Sequence, residues 1–184
     1  RVVRPGAGRN SAIAEGDAEA FIEYTPRGRR LIPGSQVLIR KHRISGQDVL
    51  MEVNSLGFRD GELPAEKGPD EFRVLVLGDS ITWEDYLPRE ETWVEIAESR
   101  LREDFPSRRV SVVNGGVGDV GLKEEIDILE ERGLKAHPDL VVVAFYLNDS
   151  RPPWGFAGEL GARGWLRRHS LLADTIYANL KLRR

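Results

Sequence analysis

Hydrophobic and polar positions divide the chain into two parts at about residue 70. After that point the pattern is regular. Phe72-Arg73-Val74-Leu75-Val76-Leu77 is a short apolar run closed by Gly78, the pattern of a buried parallel strand. Residues 92–105 predict a helix. Trp93, Ile96, Ala97 and Leu101 share one face, and Thr92 caps it with Glu95 three residues later. Residues 110–113 predict a second strand. Residues 121–133 predict a second helix, with Leu122, Ile126 and Leu129 on its inward stripe and Gly133 as its stop. Residues 139–146 predict a third strand, whose unbroken Leu140-Val141-Val142-Val143-Ala144-Phe145 run argues for burial on both faces. Residues 165–182 predict a third helix, with Trp165, Leu172, Ile176 and Leu180 inward. Strands alternating with helices place the chain in the α/β class with a parallel sheet.

The first part is less regular. Residues 1–35 are punctuated by Pro5-Gly6, Pro26, Gly28 and Pro33-Gly34 and read as an irregular arm. Within it, residues 18–24 suit a short strand or a helical turn equally well. Residues 37–40 and 48–54 predict short strands around a turn at Ile44-Ser45-Gly46-Gln47. Residues 61–70, rich in Pro, Gly and charge, read as a linker. The division is therefore an N-terminal extension over 1–70 and an α/β domain over 71–184.

Composition narrows the chemistry. The 184 residues are 40% hydrophobic and 31% charged, enough for a packed core. No cysteine is present, which excludes disulfides, thiol catalysis and cysteine-bound zinc. Any histidine mechanism must draw on His42, His137 or His169. The net charge of -3 hides an acidic middle between basic ends: residues 1–50 carry nine Lys/Arg against five Asp/Glu, and residues 163–184 six against one. With no aromatic-interleaved basic stripe, these ends read as solvated faces, not a nucleic-acid surface. The longest apolar run, Leu140 to Phe145, is far below the roughly 20 residues of a membrane span.

In an open parallel sheet, function collects beyond the carboxyl ends of the strands. The first strand is followed by Gly78-Asp79-Ser80-Ile81-Thr82 and the second by Asn114-Gly115-Gly116-Val117-Gly118-Asp119. The third is followed by Leu147-Asn148-Asp149-Ser150. A hydroxyl, a glycine-rich loop and a carboxamide thus share one edge, which are the parts of an acyl-transfer site. Taken one at a time, each block is also an ordinary turn or helix cap. Jointly, the three blocks resemble the SGNH, or GDSL-type, hydrolase family of esterases and lipases. Asn54-Ser55-Leu56-Gly57-Phe58-Arg59-Asp60 resembles a lead-in block of its bacterial members, so the likeness covers residues 54–182.

The resemblance implies a three-layer, flavodoxin-like fold and a serine esterase. Ser80 would be the nucleophile, and its N–H one oxyanion donor. The Asn148 amide would be a second. The third donor is a backbone N–H at a position where the family has glycine and this chain has Asp119, with Gly118 immediately before it as the alternative. Asp79 would shape the serine turn and Asp149 order the loop around Asn148. No metal or cofactor is implied. The substrate would be a lipid, an O-acetylated sugar or another small ester. The family likeness favours a secreted or envelope setting, with the cytoplasm left open.

The family's later Asp-x-x-His block has no counterpart here. His137 precedes the third strand and so lies at the opposite edge, about 26 Å away at about 3.3 Å per residue. His42 has the basic neighbours Arg40, Lys41 and Arg43, which oppose a base. His169 lies beside Arg167 and Arg168 on a polar helix face. In the family's strand order the third strand is central, yet no further strand is predicted after it here. A later segment or a chain partner is expected to cover its edge. The expectation is therefore a sequence that ends before its fold and its site are complete. Two other readings remain. One is a non-catalytic binding or interaction module. The other is a nucleotide-binding domain built on Gly115-Gly116-Val117-Gly118, which lacks both a Walker lysine and a spaced Rossmann fingerprint.

Overall fold

The computed structural model describes residues 13–17, 19–64 and 66–150. The predicted helix at 165–182 and His169 lie outside the described residues. The chain opens with five short strands: β1 (Ala14–Glu15), β2 (Ile22–Thr25), β3 (Gly28–Leu31), β4 (Gln36–Ile39) and β5 (Val49–Glu52). There follow β6 (Glu71–Gly78), α1 (Ser80–Trp83), α2 (Trp93–Asp104), β7 (Arg109–Gly116), α3 (Leu122–Glu131) and β8 (Leu140–Ala144). The last three strands form a parallel sheet in the order β7-β6-β8. The fold is α/β.

β6 lies between β7 and β8. Its side chains alternate between two apolar faces, so it is buried on both. Val74 and Val76 meet Val94, Val110 and Val112 beneath α2. Leu75 and Leu77 face the other way, into a larger core with Trp83, Val113, Val117 and Ile128.

That larger core also takes in the N-terminal segment. Residues expected to form an irregular arm contribute Phe21, Ile22 and Leu31, all buried. Pro26-Arg27 turns the chain between β2 and β3, which pair antiparallel from Ile22↔Leu31 to Thr25↔Gly28. Gly28, at φ +108°, passes so close to α3 that an added Cβ would meet Glu124 Cγ at 2.5 Å. Arg27 faces Asp127, Glu130 and Glu131, and Arg30 Nε donates to Glu131 at 2.9 Å. The two strands predicted around the turn at 44–47 form as β4 and β5 and pair antiparallel, with Val37, Ile39, Val49 and Met51 alternating into the core.

Three expectations need correction. α3 does not bury Leu122 and Ile126, which are 37% and 47% exposed; its inward residues are Glu124, Glu125 and Ile128. α2 turns Val94 and Glu98 inward and leaves Ile96 exposed. Glu98 is used against the sheet: its Oε2 accepts the Val112 N–H at 2.6 Å while Arg102 Nε donates to the Val110 carbonyl at 2.8 Å. These two side chains occupy the outer edge of β7, where an open ladder would otherwise invite another chain. Finally, β8 is not buried on both faces. It is an edge strand among the described residues, with Leu140 and Val143 47% and 43% exposed. An apolar run reports hydrophobicity, not how many neighbours the strand has.

The contribution of Phe21 is testable. Phe21→Ala should lower stability by about 3–5 kcal/mol in urea unfolding, the cost of an emptied aromatic site. An unchanged midpoint would show that the hairpin lies outside the cooperative core.

Candidate active site

Strand register places the three chemical blocks together. Gly78 at the end of β6 aligns with Gly116 of β7 and with Ala144 of β8. The residues that follow all three therefore emerge at one edge. The chain also crosses from β7 on one side of β6 to β8 on the other, which makes this edge a topological switch point.

Ser80 is the first residue of α1 and is exposed. The one-turn helix is held at both ends. Asp79, 1% exposed, caps its start by accepting the Ile81 N–H at 2.9 Å. At its far end Arg59 donates from Nη1 to the carbonyls of Trp83 and Glu84 and from Nη2 to that of Leu87. Burial lowers the Arg59 pKa to about 10, with Asp85 and Glu84 opposing the shift, so the guanidinium stays charged at neutral pH. The lead-in block explains its delivery. Asn54 Oδ1 accepts the N–H groups of Leu56 and Phe58, Gly57 takes φ +86°, and Phe58 is buried. This knot fixes the backbone from which Arg59 reaches the serine turn.

The glycine block approaches the same turn from the other side. Asn114 Nδ2 donates to the Thr82 carbonyl at 2.9 Å and its Oδ1 accepts the Gly116 N–H at 3.0 Å. Val117 N donates to the Gly78 carbonyl at 3.1 Å. A Cβ on Gly116 would lie 2.4 Å from Trp83 N, and one on Gly118 2.4 Å from the Trp83 ring. The glycines serve close packing here, not left-handed backbone; none of Gly115, Gly116 and Gly118 is among the positive-φ residues. Gly118 admits the indole of Trp83, and Gly116 admits the backbone of Thr82 and Trp83.

Positive φ falls instead on Asp119, at +60°. That is the conformation glycine favours and one that Asp tolerates better than most residues. Arg29 Nη1 lies 3.5 Å from Asp119 Oδ2 while its Nη2 binds Glu19 at 2.7 Å. The N-terminal hairpin thus reaches the loop that carries the Gly118 and Asp119 N–H groups.

The third block forms a 3-10 turn, Leu147–Ser150. The Asn148 backbone belongs to it; the Asn148 side chain lies outside what the structure describes. Asp149, 2% exposed, accepts the Tyr146 N–H through Oδ2. Burial raises its pKa, and the nearby Asp79 adds to the rise.

The described histidines do not reach Ser80 with a free nitrogen. His42 Nδ1 accepts the Ile44 N–H at 3.3 Å and its Nε2 faces Asp85 Oδ2 at 3.5 Å. Both nitrogens are therefore engaged, a firmer ground for exclusion than its basic neighbours, since Arg40 pairs with Glu15 and Asp48. His137 follows the turn Gly133–Ala136 and precedes β8, at the opposite edge of the sheet.

Sequence reasoning missed Arg59, Trp83 and Glu125 as parts of this edge. Arg59 stood within the lead-in block, and two glycines one residue apart signalled a bulky neighbour. Nothing marked Glu125, because a charged helix residue reads outward by default. No protein-family model, curated protein or solved structure matches this chain.

Arg59→Ala would leave three carbonyls of the serine turn without their donor. It should destabilise the protein by about 3 kcal/mol. A loss below about 1 kcal/mol in thermal or urea unfolding would show that the guanidinium does not hold this turn.

Proposed function

We propose that this chain carries the serine side of an SGNH-type acyl-ester hydrolase, on a sheet of flavodoxin-like order. The observation that carries the reading is the shared edge: Gly78 aligned with both Gly116 and Ala144, with exposed Ser80 at the head of a helix clamped from two sides. The strand order β7-β6-β8 matches the first three strands of the flavodoxin-like order 2-1-3-4-5.

Ser80 Oγ attacks the ester carbonyl and its proton passes to a base. The tetrahedral oxyanion is met by the N–H of Ser80, an N–H at Gly118 or Asp119, and the Asn148 amide. The alcohol departs with a proton, and water then releases the acid. The acid-rich surroundings of Asp79, Glu125 and Asp149 favour an uncharged ester, from a lipid, an O-acetylated sugar or a small molecule. The reading requires a histidine other than His42 and His137.

A second reading is a binding or interaction module without turnover. It is favoured by the engagement of both His42 nitrogens away from Ser80. Hydrolysis of p-nitrophenyl acetate separates the two. Under the esterase reading Ser80→Ala lowers turnover by at least about 10³-fold. Turnover equal in the wild type and the mutant contradicts it.

A further inference from the structure

We propose that Glu125 is a positioning residue: its buried carboxyl shares a proton with Asp149 and so ties the turn bearing Asn148 to the helix that leaves the glycine loop. The tie is argued from the burial of both acids, their orphaned oxygens and the contact of their elements; its consequence for catalysis rests on the esterase reading above.

Glu125 is fully buried, at 0% exposure, and neither of its carboxyl oxygens meets a donor. Asp149 is in the same position on one side: Oδ2 holds the Tyr146 N–H, and Oδ1 is buried without a donor. α3 packs directly on the turn Leu147–Ser150, so the two acids belong to elements in contact. Two buried carboxyls on elements that touch are hard to ionise together without a cation or a proton between them.

No cation answers for them among the described residues. The charges that act on Glu125 are Asp149, Asp79 and Glu124, all acids. Each other element against α3 spends its charges elsewhere. From β3, Arg29 binds Glu19 and Asp119, and Arg30 binds Glu131. From β6, Arg73 is paired with Glu71 at the far edge of the sheet. Lys135, on the turn Gly133–Ala136, is exposed. Nor do the described residues include a group of three acids or histidines arranged to hold a metal ion.

A proton resolves the arrangement. Glu125 O–H donates and Asp149 Oδ1 accepts, which satisfies one orphaned oxygen on each side. Burial first, and then Asp149, Asp79 and Glu124, push the Glu125 pKa up to about 8. Asp149 is shifted upward as well, by burial and by Asp79, and under this proposal the two acids hold one proton between them at neutral pH. Once that proton leaves, two anions face each other beneath the Asn148 turn.

The sign of the pH dependence follows. Below about pH 4.5 the proton is bound in both folded and unfolded chains, and Glu125 costs nothing extra. Between about pH 4.5 and 8 the unfolded chain releases a proton that the folded chain retains, so stability falls as pH rises. Above about pH 8 the fall levels off.

The test is the melting temperature of the full chain from pH 5 to pH 9.5 for wild type, E125Q and E125L. Glutamine keeps a donor toward Asp149 and cannot ionise; leucine removes the donor. E125Q should match the wild type near pH 5 and exceed it increasingly up to pH 9. E125L should melt below both at pH 6. A wild-type to E125Q difference that does not change with pH overturns the proposal, as does an E125L that melts with E125Q at pH 6. Ester turnover over the same range should fall at least tenfold above pH 8 in the wild type and not in E125Q. A pH-independent melting difference refutes the tie even if turnover is present. Absence of turnover with the expected melting pattern refutes the esterase reading and leaves the tie intact.

Discussion

The close approach of the glycine loop to Trp83 is the constraint on which the rest of this edge depends. Trp83 is 4% exposed and meets Phe21 edge-on at 5.5 Å. It therefore touches the loop after β7 and the N-terminal segment at once. A side chain at 116 or 118 would push this ring or its backbone away, and with it the helix that begins at Ser80. The hydroxyl is exposed, but everything beneath it is fixed by van der Waals contact and by the clamps at Asp79, Asn114 and Arg59. A one-turn helix has little stability of its own. Here its geometry is imposed by its neighbours, which is what preorganisation of a nucleophile requires.

A second theme is the number of charges taken inside. Arg30, Arg59, Arg73, Glu124 and Glu125 are at most 1% exposed. Most of them are answered locally: Arg73 by Glu71 and the Ala136 carbonyl, Arg30 by Glu131 and the Arg29 carbonyl, and Glu124 by the Gly121 N–H. Such groups are expensive to desolvate, and removing one partner strands the other. They hold the ends of strands and helices in register more than they add to net stability. Glu125 differs because its neighbours are acids, and so it is the group whose state depends on pH.

The parallel sheet was legible because β6 and β7 are short apolar runs ended by small residues, and α2 because Thr92 caps it, accepting the Glu95 N–H. The candidate edge was legible for the same reason: chemistry-bearing residues directly follow strand ends. What stayed hidden depended on tertiary partners. Phe21 and Leu31 sit among prolines, glycines and arginines, so nothing local marks them as core. The buried face of α3 runs through Glu124, Glu125 and Ile128, against the apolar stripe of Leu122 and Ile126, and nothing in the helix's own periodicity marks that face. The exposure of β8 depends on what lies beside it, which periodicity does not report. Asp119 was legible as part of the loop after β7, but not that Arg29 would stand against it.

The central claim is that Ser80 is a nucleophile held for acyl transfer at this edge. It is tested most directly by reacting the full chain with a fluorophosphonate ester and mapping the adduct by mass spectrometry of the digested protein. The account predicts one phosphonylated peptide, the one containing Ser80, and none in Ser80→Ala. Absence of any adduct, or an adduct at Ser55, Ser111 or another hydroxyl with Ser80 unmodified, would contradict it.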